Sequence, residues 1–201
     1  KFPTISGSHF ALNGISFWEE FGPSALTAKI RAEGMYNFGP SLSPNNAFYI
    51  LQGIETLSLR MKKHIENTKM MLEFLKENEA VSWLRHPDLE DHPDHKIAKK
   101  ILPLGSGSII VFGIKGGRDA GKAFIENVKL SSHLANVGDA KTLLIHPGST
   151  THSHLSSEAM KMSGLTDDMI RLSVGLEDIE DIKIDFEKGF KAAAKISSNK
   201  S

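Results

Sequence analysis

Arg171 is the residue whose type and setting point most directly to chemistry. It lies in Met169-Ile170-Arg171-Leu172-Ser173-Val174, which alternates with the two-residue period of a strand. Ile170, Leu172 and Val174 fall on one face, and Met169, Arg171 and Ser173 on the other. An arginine held on a strand, pointing away from the apolar face, is suited to fork a carboxylate through two parallel hydrogen bonds. The competing use is a surface ion pair, which is what most strand arginines make. Two further polar segments belong with it: Asn136-Val137-Gly138 and Thr150-Thr151-His152. Each lies at the end of a predicted strand or in the loop after it, where sites tend to be built. An arginine, an amide and free backbone donors together form a grip for the α-carboxylate of an amino acid.

Other constellations carry less. There are nine histidines, with His92-x-x-His95 near Asp88, Asp91 and Asp94, and His152-x-His154 further on. The first pair straddles a proline and a helix start, so the two rings do not lie one turn apart. The second has strand spacing and no acidic partner nearby. With no cysteine, a zinc site needs three or four of these residues to converge, and no metal is expected. Gly105-Ser106-Gly107-Ser108 is followed by a strand rather than a helix, so it is not a nucleophile elbow. Gly113-Ile114-Lys115-Gly116-Gly117 lacks a phosphate-binding signature and suits a tight turn.

The elements that must position these residues follow from periodicity. Residues 1–16 are rich in Ser, Gly and Asn and predict an irregular surface loop. Phe17 to Phe21 forms an aromatic cluster, and a helix from Ser24 to Met35 ends at Gly39-Pro40. Ser43-Pro44 opens the longest helix, with Ser43 as N-cap and proline at the first helical position. Ala47, Ile50, Leu51, Ile54, Leu57, Met61, Ile65, Thr68, Leu72 and Leu75 continue its stripe to about Glu77. Strands are expected at Ala80–Arg85, Ser108–Ile114, Val128–Ser131, Thr142–Ile145 and Met169–Val174. Helices are expected at Asp94–Ile101, Arg118–Asn127, Ser157–Met162 and Asp178 to about Ala194. The last helix shows apolar positions Ile179, Ile182, Ile184, Phe186 and Phe190. The fold class is α+β: a small, mainly antiparallel sheet with helices on one face, preceded by a long helix.

Composition excludes several classes. The chain has 201 residues, 24 basic and 24 acidic, so charge gives no argument for nucleic acid or an anionic membrane as partner. No apolar run approaches the ~20 residues a membrane helix needs. Absence of cysteine suits a cytoplasmic protein. Lys1-Phe2-Pro3-Thr4 has no initiator Met and no apolar signal core, so the chain is expected to begin within a longer protein or to have been processed.

Several motifs carry a resemblance. Leu134-Ala135-Asn136-Val137-Gly138-Asp139-Ala140-Lys141-Thr142-Leu143, His146-Pro147-Gly148-Ser149-Thr150-Thr151-His152 and Ile170 to Asp178 resemble the C-terminal signatures of the Cys/Met-metabolism pyridoxal-phosphate enzymes. Ser43-Pro44-Asn45-Asn46-Ala47 and Leu51-Gln52-Gly53-Ile54-Glu55-Thr56-Leu57-Ser58-Leu59-Arg60 do the same. Within that family, Gly14-Ile15-Ser16-Phe17-Trp18, Gln52 and the Asn136-Val137-Gly138-Asp139 loop are most similar to the O-acetylhomoserine sulfhydrylases.

The resemblance implies the C-terminal domain of a fold-type I transferase. It implies residues 1–62 as the tail of the cofactor domain, with the first part of the long helix, and 63–201 as the small domain. It makes Arg171 the binder of the substrate α-carboxylate, with Asn136 and Val137 beside it and Thr151 bordering the cofactor pocket. The lysine that carries the cofactor, in its Ser/Thr-rich setting, has no match here. Nor have the aspartate of the pyridinium nitrogen, the ring-stacking tyrosine or the phosphate-binding turn. The expected partners are an amino-acid substrate, the N-terminal part of the same enzyme and further copies in a homo-oligomer. Pyridoxal phosphate belongs to the complete enzyme, and this chain alone is expected to be inactive and to bind none covalently. A cystathionine or methionine γ-lyase segment, or a stand-alone non-catalytic domain that binds an amino acid or a partner, are the alternatives.

Overall fold

The computed structural model describes residues 2–150 and 157–198. The chain divides into two compact units, Lys1–Ile54 and Glu55–Ser201.

The first unit is a string of short helices: α1 (Pro3–Ser6), α2 (Phe17–Phe21), α3 (Ala25–Lys29), α4 (Tyr36–Phe38) and nearly all of α5 (Pro44–Glu55). Residues 1–16 are thus not wholly irregular. Pro3 stands at the first helical position, where its missing N–H costs nothing, and a 3₁₀ turn follows at Phe10–Leu12. Ser16 caps α2 by accepting from the Glu19 N–H, and Phe17 is buried beneath. Between α3 and α4, Ile30–Met35 widens into a π-helical stretch, where Glu33 pairs with both His9 and Lys29. Gly39 ends α4 in the left-handed region, a conformation suited to glycine. As predicted, Ser43 caps α5 by accepting from the Asn46 N–H.

The predicted long helix is two helices, α5 and α6 (Leu57–Glu77). Thr56 leaves the helical region, with ψ near 1°, and its hydroxyl accepts from Arg60 Nε. Gly53, a weak helix former, lies in the turn before it.

In the second unit, β1 (Val81–Arg85), β2 (Ile109–Ile114), β3 (Leu143–Ile145) and β4 (Met169–Ser173) form one sheet in the order β1-β2-β4-β3, every pair antiparallel. Helices α7 (His95–Ile101), α8 (Gly117–Asn127), α9 (Ser157–Met162) and α10 (Ile179–Ser198) complete it. Strand alternation sends Ile110, Phe112, Ile114, Ile170, Leu172 and Val174 into one core with Met71 and Leu75 of α6, Phe124 of α8, and Ile182, Phe186 and Phe190 of α10. Phe112, Phe124, Phe186 and Phe190 pack as one aromatic group, with ring centroids 4.9 to 6.4 Å apart. The expected architecture therefore holds. Among the described residues no helix is long and apolar enough to cross a membrane.

Two expectations fail for one reason. Val128–Ser131 is not a strand, and the apolar face of α10 does not include Ile184, which is 51% exposed. At 100° per residue Asp185, not Ile184, turns inward, and it is 2% exposed. Its carboxylate accepts the backbone N–H groups of Lys129, Leu130 and Ser131 at 2.7, 3.0 and 3.1 Å. Those donors are used on a side chain and are not offered to a neighbouring strand.

Candidate functional site

Arg171 sits on the central strand β4, opposite Val111 of β2 and Ile145 of β3, so both neighbours fix its backbone. The predicted faces hold: Ile170, Leu172 and Val174 are fully buried in the helix-covered core. On the opposite face Met169 and Ser173 are also buried, leaving Arg171 half-buried between them. Among the described residues no carboxylate pairs with Arg171. Its Nη2 donates to the backbone carbonyl of Asn136 at 3.3 Å, a long contact to a neutral group. The surface ion pair weighed for Arg171 is therefore absent among the described residues.

The structure thus brings Arg171 and Asn136 together, through the Asn136 carbonyl and not its amide. The Asn136 side chain is used inside the turn: Oδ1 accepts from the Val137 N–H at 2.9 Å and Nδ2 donates to Asp139 Oδ2 at 3.3 Å. Asp139 also accepts the Lys141 N–H, and that bond, with the Asn136 amide, holds its carboxyl below the usual range. Gly138, with φ of 70°, lets the turn close. Val137 is exposed at its tip. Thr151 lies outside the described residues, as do His152 and His154.

The far end of this turn is bound far more densely. The Thr142 N–H and hydroxyl donate to the two Glu177 carboxylate oxygens at 2.7 and 2.8 Å, and the hydroxyl accepts the Gly175 N–H at 2.9 Å. The Leu176 N–H donates to the Ala140 carbonyl at 2.8 Å. Gly175 is required by proximity: a Cβ there would run into the Thr142 nitrogen, the Lys141 carbonyl carbon and the Glu177 carboxylate. From α6, Asn67 Nδ2 donates to the carbonyls of Gly175 and Glu177, and His64 Nδ1 to that of Val174. None of these four side chains was singled out as a site residue from sequence. The available signal was a run of polar residues, His64, Asn67 and Thr68, at helical spacing inside the apolar stripe of α6, where all three are buried.

Next to β3, His146 is fully buried, and its Nε2 donates to the Asp167 carbonyl at 2.8 Å. The ring packs against α8 where a Cβ on Gly121 would collide with it. Burial lowers its pKa. Thr150, next along the same loop, donates from its hydroxyl to the His146 carbonyl. His92 and His95 serve their own loop: the first accepts the Asp94 N–H, the second donates to the Pro87 carbonyl. Among the described residues no three His, Cys, Asp or Glu side chains gather as for a metal ion.

Arg171 thus faces a neutral carbonyl of an exposed turn. The sequence matches the family of Cys/Met metabolism PLP-dependent enzymes over residues 5–191. This chain belongs to that family. It is 44% identical over 96% of its length to Sulfhydrylase FUB7 of Fusarium oxysporum, of which it covers 45%. It is 43% identical over 94% of its length to O-acetyl-L-homoserine sulfhydrylase 1 of Thermus thermophilus, again covering 45% of that protein. Among solved structures, an O-acetylhomoserine (thiol)-lyase of Campylobacter jejuni superposes with a TM-score of 0.78 at 29% identity, over 94% of this chain and 45% of that one. The chain thus spans a little under half the length of the relatives it matches.

Pyridoxal phosphate in this family needs an amine for its aldehyde. Every lysine whose side chain is described is at least partly exposed.

Proposed function

We propose that this chain is the C-terminal part of an O-acetylhomoserine sulfhydrylase, an enzyme that makes homocysteine and acetate from O-acetylhomoserine and sulfide. The relatives named for that activity support the reaction. The observation that carries this chain's share is Arg171, a strand-fixed guanidinium with no carboxylate partner among the described residues. In the complete enzyme the cofactor supplies the electron sink for the carbanion chemistry. This chain supplies recognition. The substrate α-carboxylate takes the guanidinium fork in place of the long bond to the Asn136 carbonyl, because a bidentate charged pair outweighs one neutral contact. Asn136 and Val137 border that carboxylate from the turn, and Thr151 borders the cofactor side. Residues 1–62 belong to the cofactor domain and 63–201 to the small domain. The complete enzyme on this reading is a cytoplasmic homo-oligomer.

The test is homocysteine formation from O-acetylhomoserine and sulfide by the enzyme that contains this chain. Faster release of a 2-oxo acid from methionine or cystathionine would replace the sulfhydrylase reading with a γ-lyase. This chain by itself, mixed with cofactor, reduced with borohydride and weighed, should gain no stoichiometric label on any one lysine.

A further inference from the structure

Two kinds of bonds hold the Asn136–Lys141 turn. Within it, Asp139 accepts from Asn136 Nδ2 and the Lys141 N–H, and Asn136 Oδ1 accepts the Val137 N–H, so the two ends of the turn are tied to each other. Where the turn leaves for β3, Thr142 is fully buried and makes three bonds to the segment after β4: two to Glu177 and one from Gly175. That segment is in turn held from α6 by His64 and Asn67. It is also continuous with β4, the strand that carries Arg171. Together with the Leu176 N–H bond to the Ala140 carbonyl, Thr142 and Glu177 therefore tie the turn to the strand bearing the carboxylate-binding arginine.

We infer that Thr142 and Glu177 are positioning residues for substrate binding, setting where Asn136 and Val137 stand relative to the Arg171 guanidinium. Neither touches substrate. The inference rests on the reading of Arg171 as the carboxylate binder. The Thr142 hydroxyl is the hinge point, because it alone joins the Glu177 carboxylate to the Gly175 backbone. Without it the Glu177 oxygen and the Gly175 N–H lose their partner in a buried place. The turn then tilts about its remaining ties, and the change is felt at its far end, beside Arg171. A misplacement of about an ångström at a bound carboxylate is enough to weaken substrate binding measurably.

In the holoenzyme containing this chain, Thr142→Val keeps the shape and removes the hydroxyl. It should raise KM for O-acetylhomoserine about tenfold. The KM for sulfide and kcat should stay within about threefold. Thr142→Ser restores the hydroxyl and should bring KM back. A purely structural role would lower the melting temperature and the active fraction and leave KM of the folded enzyme unchanged; that result overturns the inference. Should Thr142→Val not fold, Glu177→Gln tests the same lock, and an unchanged KM there overturns it equally. Arg171→Ala in parallel separates the two readings. If it raises KM and Thr142→Val does not, only the positioning role fails. If Arg171→Ala leaves KM unchanged, the carboxylate reading itself fails.

Discussion

Arg171 and Glu177 are charged residues on one continuous segment, and the fold treats them in opposite ways. Glu177 has both carboxylate oxygens engaged at short distance by Thr142, its own carbonyl held by Asn67, and a glycine beside it with no room for a side chain. Arg171 has one long bond to a neutral carbonyl and no acid among the described residues. A carboxylate that accepts well-aligned donors in a closed corner is finished by the fold. A guanidinium with one long bond to a neutral carbonyl among the described residues is not. On the proposed reading, the difference separates a group that builds the site from one that uses it.

The largest effect that can break this comparison comes from Arg171→Ala in the complete enzyme. Removing one partner of a desolvated charge pair costs ~2–5 kcal/mol, so kcat/KM for O-acetylhomoserine should fall by roughly 30-fold to several thousand-fold. Cofactor content and thermal stability should stay near normal, because no acid in the described structure depends on Arg171. Arg171→Lys keeps the charge, loses the planar fork and should fall between. A drop under about fivefold in the alanine variant would return Arg171 to the class of exposed ion pairs.

Gly175→Ala addresses the other half of the comparison. Its methyl group meets backbone as well as the Glu177 carboxylate, and backbone cannot swing aside. Overpacking of this kind costs about 1–3 kcal/mol. A chemical denaturation curve should show that loss with the m-value unchanged. If the variant were as stable as the parent, the corner would be looser than its hydrogen bonds imply.

A smaller effect is expected from Asn136→Ala. The amide's bonds lie within the turn, so the variant loosens the turn without removing charge. The variant loses one neutral bond, to the Val137 N–H, and one to the Asp139 carboxylate; because both act on the turn and not on the substrate, KM should rise by only about three- to tenfold. Steady-state kinetics decide it. A loss as large as that of Arg171→Ala would mean that the amide itself grips the substrate.

Much of this was legible in the sequence, and what was not has identifiable causes. Alternation around Arg171 gave its face correctly, because a strand's two-residue period leaves no freedom once Ile170, Leu172 and Val174 must be buried. The Ser43-Pro44 helix start was legible because capping is local. Asp185 was not. Its burial depends on three backbone donors in residues 129–131 that no local pattern announces, and the same event removed a predicted strand. The break at Thr56 hid for a related reason, since the apolar stripe runs through it unchanged. The lock of Thr142 to Glu177 joins residues far apart in the chain, and His64 and Asn67, which hold the same segment from α6, read as interruptions of its stripe until their partners are known.

The smallest effect is one of pH. His146 is buried beside the loop that follows β3, and burial holds its pKa below the ordinary value of 6.5. In the unfolded chain it titrates near that ordinary value, so below it the unfolded state binds more protons than the folded state. Stability therefore stands in full above about pH 6.5 and declines as the pH falls from there toward the folded-state pKa. His86, also buried and also lowered, adds to the slope with the same sign. Melting temperatures of the chain from pH 7.5 down to 5 should fall steadily. His146→Gln keeps a donor for the Asp167 carbonyl without the titration, so it should flatten part of that decline and leave the part due to His86. A parent curve flat over this range would mean that the ring at residue 146 takes up its proton without leaving its place, and that the loop it anchors is more open to water than the packing against Gly121 implies.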